Sequence, residues 1–253
     1  MSVLYQVNSR PVPDWAPPAT PDDHTVMHGR FCTLEPLVAD KHAALLFPAF
    51  MGHDHVWRYM PYGPFSSSSQ YHRWVSETEK DATTQFYAIR NTDSGQFEGV
   101  ASFLRISPDA GSIEVGHINF SPAMQRTRAA TEALFCMMAW AFDAGYRRFE
   151  WKCDALNLGS RRAAQRFGFS YEGVFRQATV VKGHNRDTAW FAAIDIEWPA
   201  LKEAFEAWLA LSNFDESGQQ IESLADLTSL VRVSSDPLIE GALRGNVQTG
   251  ARG

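Results

Sequence analysis

Apolar and polar positions alternate over residues 28–38, His-Gly-Arg-Phe-Cys-Thr-Leu-Glu-Pro-Leu-Val, the period-two pattern of a strand with one buried face. Residues 39–50 shift to helical spacing. An aromatic, proline-punctuated stretch at 56–65 reads as a shaped loop, and the serines at 66–69 supply an N-cap for a helix over 70–79. Three strand-like runs follow at 85–90, 97–106 and 112–120, joined by turns at 91–95 and 108–111 that read as hairpins. Residues 129–144 are apolar at helical spacing and stop at Gly145. A strand at 148–153 and an amphipathic helix at 157–167 come next, the helix stopped by Gly168. A final hairpin pairs 171–181 with 188–197 around residues 182–185, and Pro199 opens a closing helix that runs to about residue 211.

This order predicts an α/β (α+β) domain over residues 28–211. Its antiparallel half is followed by a strand–helix–strand crossover, which must be parallel and right-handed. A sheet that changes from antiparallel to parallel should open at the change, and open sheets bind ligands at such a break. Five prolines make residues 1–27 an extended arm, since proline lacks the N–H that helices and central strands need. Residues 212–253 are rich in Ser, Gly, Asp and Gln. They read as a tail with one short helix near 221–232.

Composition narrows the classes. Hydrophobic residues are 45% and charged residues 21%, ordinary for a globular chain with a normal core. The net charge of −6, with no basic run, argues against a protein that works on a nucleic-acid backbone. The three cysteines, Cys32, Cys136 and Cys153, are odd in number and widely spaced, which fits reduced thiols and a cytoplasmic location. No basic-then-apolar leader opens the sequence and no apolar run reaches membrane-spanning length, so no membrane partner is expected.

Candidate chemistry gathers in four places. The junction between strand and long helix carries Gln125, Arg126, Thr127, Arg128, Ala129, Ala130 and Thr131. Free N–H groups, two arginines and two small residues there suit a pyrophosphate, although a solvated basic turn has the same composition. Asn157 is placed to cap its helix, with Ser160 one turn in on the same face. Glu114 stands on a central strand, where a carboxylate is costly to bury unless it is paired or at work. Trp57, Tyr59 and Tyr62 are either loop packing or the wall of a pocket. His53 and His55 have metal-like spacing but no third ligand, so no metal is expected.

Together these segments resemble the GNAT N-acetyltransferases, and among them the RimJ/RimL-like proteins. Gln125-x-x-Arg128-x-Ala130 is similar to the family's (Gln/Arg)-x-x-Gly-x-(Gly/Ala) loop, with Arg128 in the place of a glycine. Asn157-Leu-Gly-Ser160-x-Arg162, followed by Phe167-Gly168-Phe169 and Glu172-Gly173, resembles the family's second signature. Ile113-Glu114-Val115-Gly116-His117 resembles its central strand, and Trp57 to Phe65 its acceptor-side loop.

The resemblance implies a mixed central sheet splayed between antiparallel and parallel halves, with helices on both faces. It implies acetyl-CoA as co-substrate and direct acetyl transfer to an amine, either a small molecule or a peptide N-terminus. By resemblance, the backbone at Asn119 and Phe120, residues Gln125 to Thr131, Asn157 and Arg162 hold the coenzyme. Glu114 acts as base, Ser160 serves the departing thiolate, and Trp57, Tyr59, Tyr62 and His117 line the acceptor side. RimL-type enzymes carry a catalytic glutamate where Thr179 stands here. A non-catalytic CoA- or partner-binding module is the alternative reading, and a homodimer is compatible with the sequence.

Overall fold

The computed structural model describes residues 11–241. The start of the expected arm (1–10) and the end of the expected tail (242–253) lie outside the described residues. The strands are β1 (Met27–His28), β2 (Cys32–Pro36), β3 (Gln85–Asn91), β4 (Phe97–Ser107), β5 (Ser112–Phe120), β6 (Arg148–Asp154), β7 (Ser170–Val181) and β8 (His184–Ile194). The helices are α1 (Ala39–Phe50), α2 (Ser68–Thr78), α3 (Arg128–Asp143), α4 (Leu158–Arg166), α5 (Trp198–Leu209) and α6 (Leu224–Ser229).

The strands form one sheet in the order β1-β2-β3-β4-β5-β6-β8-β7. Every neighbouring pair is antiparallel except β5 with β6, the pair joined through α3. That parallel pairing runs only from Ser112–Val115 against Arg148–Trp151. Beyond it both strands continue, unpaired to each other, so the sheet opens after Val115 and Trp151. The expected topological break is present.

Alternation along the strands divides the molecule into two cores. Ile113 and Val115, Phe149 and Trp151, and Phe191 and Ala193 face the main core with α3 and α5. Leu37, Phe86, Ala88 and Val100 face a second, aromatic core with α1 and α2.

Three local expectations are corrected. The strand expected at 28–38 is a tight hairpin. The carboxylate of Glu132 on α3 accepts N–H bonds from Arg30 (2.9 Å), Phe31 (2.5 Å) and Cys32 (3.0 Å), which bends the chain there. Gly29 is required at the bend, since a Cβ would sit 2.2 Å from Glu132 Oε2. The last strand begins at His184, not at 188. Lys182 and Gly183 both have positive φ (48° and 78°), the two-residue turn that matches strand twist, so the polar residues 184–187 continue the ladder.

The segment after residue 211 is not a loose tail. Asp236 bonds Arg161 of α4 through two 2.6 Å contacts, and the Arg232 guanidinium donates to Gln165 O (2.9 Å). Val233 N–H donates to Ser170 Oγ (3.0 Å), and Ser234 bonds the Tyr171 carbonyl. The segment therefore lies along α4 and the start of β7.

Candidate active site

The opening between β5 and β6 is built by a bulge. β5 pairs β4 at Ser102↔Gly116 and again at Val100↔Asn119, with an irregularity between. His117 takes φ 50° there. Its ring lies nearly parallel to Tyr62 (5.6 Å, 13°), with Nδ1 3.0 Å from the Tyr62 hydroxyl, and it rests on Phe86 at 4.9 Å. Burial pushes the His117 pKa down to about 4, and the positive charges of Arg105 and Arg186 add to this. The imidazole is therefore neutral at pH 7. Asn119 is 4% exposed, and its Nδ2 has no partner among the described residues.

Glu114 lies two residues before the bulge, its side chain 3% exposed. Arg105 Nη1 is 2.7 Å from one carboxylate oxygen, and Lys152 Nζ is 2.8 Å from the other. Lys152 also binds Glu150 (2.7 Å) and sits 3.8 Å from the Trp190 ring centroid. Burial raises the Glu114 pKa above the usual carboxylate value, against the opposing pull of the two cations. Glu114 is thus a paired carboxylate with raised proton affinity.

At the β5–α3 junction, Thr127 caps the helix by accepting the Ala130 N–H (3.1 Å). The N–H groups of Arg128 and Ala129 have no acceptor among the described residues, as an anion-binding helix end requires. Gln125 and Arg126 are exposed, Arg126 at φ 64°. The Arg128 side chain points elsewhere. Its guanidinium lies 4.5 Å from the Phe31 ring centroid and 5.2 Å from that of Phe214, with Asp93 at 3.8 Å. Ala129, Ala130 and Thr131 are buried, and Thr131 Oγ1 accepts from Arg166 (3.2 Å). Of the expected phosphate contacts, the backbone and Arg126 fit such a group, whereas the Arg128 and Thr131 side chains are held by the protein.

Across the opening, Asn157 Oδ1 accepts the Ser160 N–H (3.1 Å), so the cap expected from sequence forms. Ser160 Oγ accepts from Trp151 Nε1 (3.0 Å), which leaves its own proton available to donate. It borders Cys153, whose thiol burial pushes up to about 11. Arg162 is exposed. Its neighbour Arg161 is buried, and sequence reasoning passed over it because its partner Asp236 is 75 residues away.

The aromatic loop divides by residue. Trp57 is buried among Phe50, Phe65, Tyr71 and Trp74, and so packs a core where a pocket wall was expected. Tyr62 reaches His117, while Tyr59 donates to Leu156 O (3.2 Å) just before α4. Lys182, in the β7–β8 turn, donates to Gly63 O (2.9 Å) and Tyr62 O (3.2 Å). The hairpin tip and the aromatic loop are thereby pinned together over the α1/α2 face. A cavity of ≈ 1040 Å³ on this face is lined in part by Phe86 and Arg105, the residues that touch His117 and Glu114. Thr179 stands exposed on β7, opposite Arg186. Among the described residues no three His, Cys, Asp or Glu side chains converge, and no helix is long and apolar enough to cross a membrane.

A mixed sheet opened after one short parallel pair, with a free helix N-terminus beside the opening, is the architecture of the GNAT acetyltransferases, which draw on acetyl-CoA. Sequence comparison agrees, because the profile of the acetyltransferase (GNAT) domain matches residues 32–170. The chain belongs to the GNAT acetyltransferase family. A GCN5-related N-acetyltransferase from Brucella melitensis is 43% identical with a TM-score of 0.83, covering 85% of this chain and 99% of its own. A probable GNAT acetyltransferase from Chromobacterium violaceum is 42% identical with a TM-score of 0.72, covering 76% and 96%. The Salmonella typhimurium acetyltransferase that modifies the N-terminal serine of ribosomal protein L7/L12 shares the fold at 20% identity and a TM-score of 0.58, covering 67% and 99%. No curated protein sequence matches this chain.

Proposed function

We propose that this acetyltransferase acetylates a primary amine, on a small molecule or a peptide N-terminus, with Glu114 as the base. The observation that carries the reading is Glu114 itself. It is a buried carboxylate of raised proton affinity, beside the opening and on the face away from α3 and α4. The Salmonella relative's action on a protein N-terminus supports an amine acceptor.

Acetyl-CoA supplies the acetyl thioester. Arg126 and the free N–H groups at the start of α3 would hold its phosphates, and Asn157 and the unpaired edge of β5 its pantetheine arm. The Asn119 region donates toward developing negative charge on the carbonyl oxygen, and Ser160 gives its proton toward the leaving sulfur. Arg105, whose side chain is 60% exposed, leaves Glu114 Oε1 when the acceptor arrives, and that oxygen takes the amine proton. Tyr62 and neutral His117 form the adjoining wall.

The test is Glu114→Gln, which keeps the shape and removes the basicity. At neutral pH kcat should fall by about 10²–10⁴-fold, and by less at high pH where the free amine is already populated. A variant that binds acetyl-CoA and keeps the parental pH–rate profile would make Glu114 structural.

A further inference from the structure

Residues 186, 188, 190 and 192 of β8 share a face with Glu150 and Lys152 of β6, opposite the face that carries Ala189, Phe191 and Ala193 into the main core. This is the face on which the acceptor side of the opening lies. Two N–H groups there are buried without a partner among the described residues, Arg186 Nε and Trp190 Nε1. Arg186 makes no ion pair among the described residues, and the residue directly opposite it, Thr179, is uncharged. The Ala155 N–H donates to Asp187 O (2.8 Å), which sets residue 186 beside the end of β6, on the β8 side of the opening.

The other cations of this face are already paired, and Asp154, opposite Thr188, accepts the Leu156 N–H (2.8 Å) without an ion pair among the described residues. Lys152 lies between Glu114 and Glu150, Arg105 is on Glu114, and Arg148 bridges Glu150 and Glu172. Arg186 is left over. Buried donors without acceptors carry the desolvation penalty of an unmade hydrogen bond, which a ligand rich in acceptor oxygens removes. A guanidinium matches planar oxyanions through paired donors.

We infer that the acceptor amine carries an anionic group, a carboxylate or a phosphate, which Arg186 binds. This rests on the proposed amine acetylation and names its substrate class. It also suits the reaction, because an anion anchored at β8 directs the rest of the molecule toward Glu114 and His117. The wall near the bulge contributes no further positive charge to the amine, since its histidine stays neutral at pH 7.

The experiment compares matched acceptors by thiol release from acetyl-CoA. The pairs are β-alanine with β-alaninamide, O-phosphoethanolamine with ethanolamine, and the C-terminally amidated dipeptide Gly-Asp with amidated Gly-Asn. In the parent, at least one acid should exceed its neutral counterpart by about 10- to 100-fold in kcat/KM, the range of a charge-assisted contact. The arm that responds distinguishes carboxylate from phosphate and free acid from peptide. In Arg186→Gln the ratio should fall to about one, and Arg186→Lys should restore part of it. Equal kcat/KM within every pair, or a preference that survives in Arg186→Gln, overturns the inference while leaving amine acetylation standing. If no amine releases thiol, the proposed function fails. Calorimetry of N-acetyl-β-alanine against its amide on the CoA-loaded protein then still reads the anion site, and equal affinities overturn it.

Discussion

Asp236→Ala should destabilise this protein far more than a charge reversal on its surface would. The carboxylate is fully buried and meets Arg161 Nε and Nη2 at 2.6 Å each. It also accepts the Leu238 N–H (3.0 Å). Removing it leaves a guanidinium that is only 6% exposed with Ala155 O (2.8 Å) as its remaining partner. An exposed ion pair contributes about 0–1 kcal/mol. Breaking a buried one from a single side costs about 3–5 kcal/mol, because the orphaned charge stays desolvated. With urea m-values of about 2–3 kcal/mol/M for a domain of this size, the unfolding midpoint should drop by roughly 1–2 M. The double variant Arg161→Met/Asp236→Leu should recover most of the loss, since an apolar pair carries no desolvation penalty. Arg161 lies one residue past Ser160, so the single variant should also raise KM for acetyl-CoA more than it lowers kcat. A midpoint shift below about 0.3 M, or a double variant no better than the single, would refute the reasoning.

Three further outcomes follow from the same structure. Ser160→Ala should lower turnover with acetyl-CoA affinity nearly intact, as steady-state kinetics beside calorimetry would show; lost affinity at unchanged turnover would make the residue a binding or packing group. Arg126→Ala should weaken CoA binding by about 1.5–3 kcal/mol, whereas Arg128→Ala, which empties the place between Phe31 and Phe214, should act mainly on the melting temperature. His117 is neutral in the fold down to about pH 4, while an unfolded histidine protonates near pH 6.5. Its contribution is therefore complete above pH 6.5 and lost as the pH falls toward 4, about 3 kcal/mol in all; His117→Gln should flatten the acid side of the stability profile.

Local signals were legible. The caps at Ser67 and Asn157 are short-range devices, and the structure shows both accepting the N–H three residues on. The switch from antiparallel to parallel pairing follows from the order of elements, so the position of the opening could be read as well. What escaped depends on partners distant in the chain. Glu132 reads as one more helix residue until the hairpin about 100 residues upstream is folded against it. Arg128 looks like a phosphate ligand by spacing, but two rings contributed by residues 31 and 214 hold it. Arg161 and Arg162 are indistinguishable in sequence, yet one is buried against Asp236 and the other faces solvent. The polar run after residue 211 hid its attachment, because the few apolar residues that enter the core, Leu224 with Phe214, Leu227 and Val231, and the side-chain bonds to α4 and β7 are scattered among exposed polar positions. For Trp57 the sequence leaves loop packing and a pocket wall both open, because composition does not say which way a ring points, and the structure buries it among Phe50, Phe65, Tyr71 and Trp74.

The most direct test of acetyl transfer to an amine is thiol release from acetyl-CoA, measured with a thiol reagent against a panel of peptide N-termini, polyamines, aminoglycosides and small amines. Mass spectrometry of each acceptor identifies the atom modified. The account predicts release that depends on acceptor concentration, one acetyl group on a primary amine nitrogen, and loss of both signals in Glu114→Gln at neutral pH. Release that proceeds at the same rate without any amine, or acetyl found only on oxygen or sulfur, would contradict it.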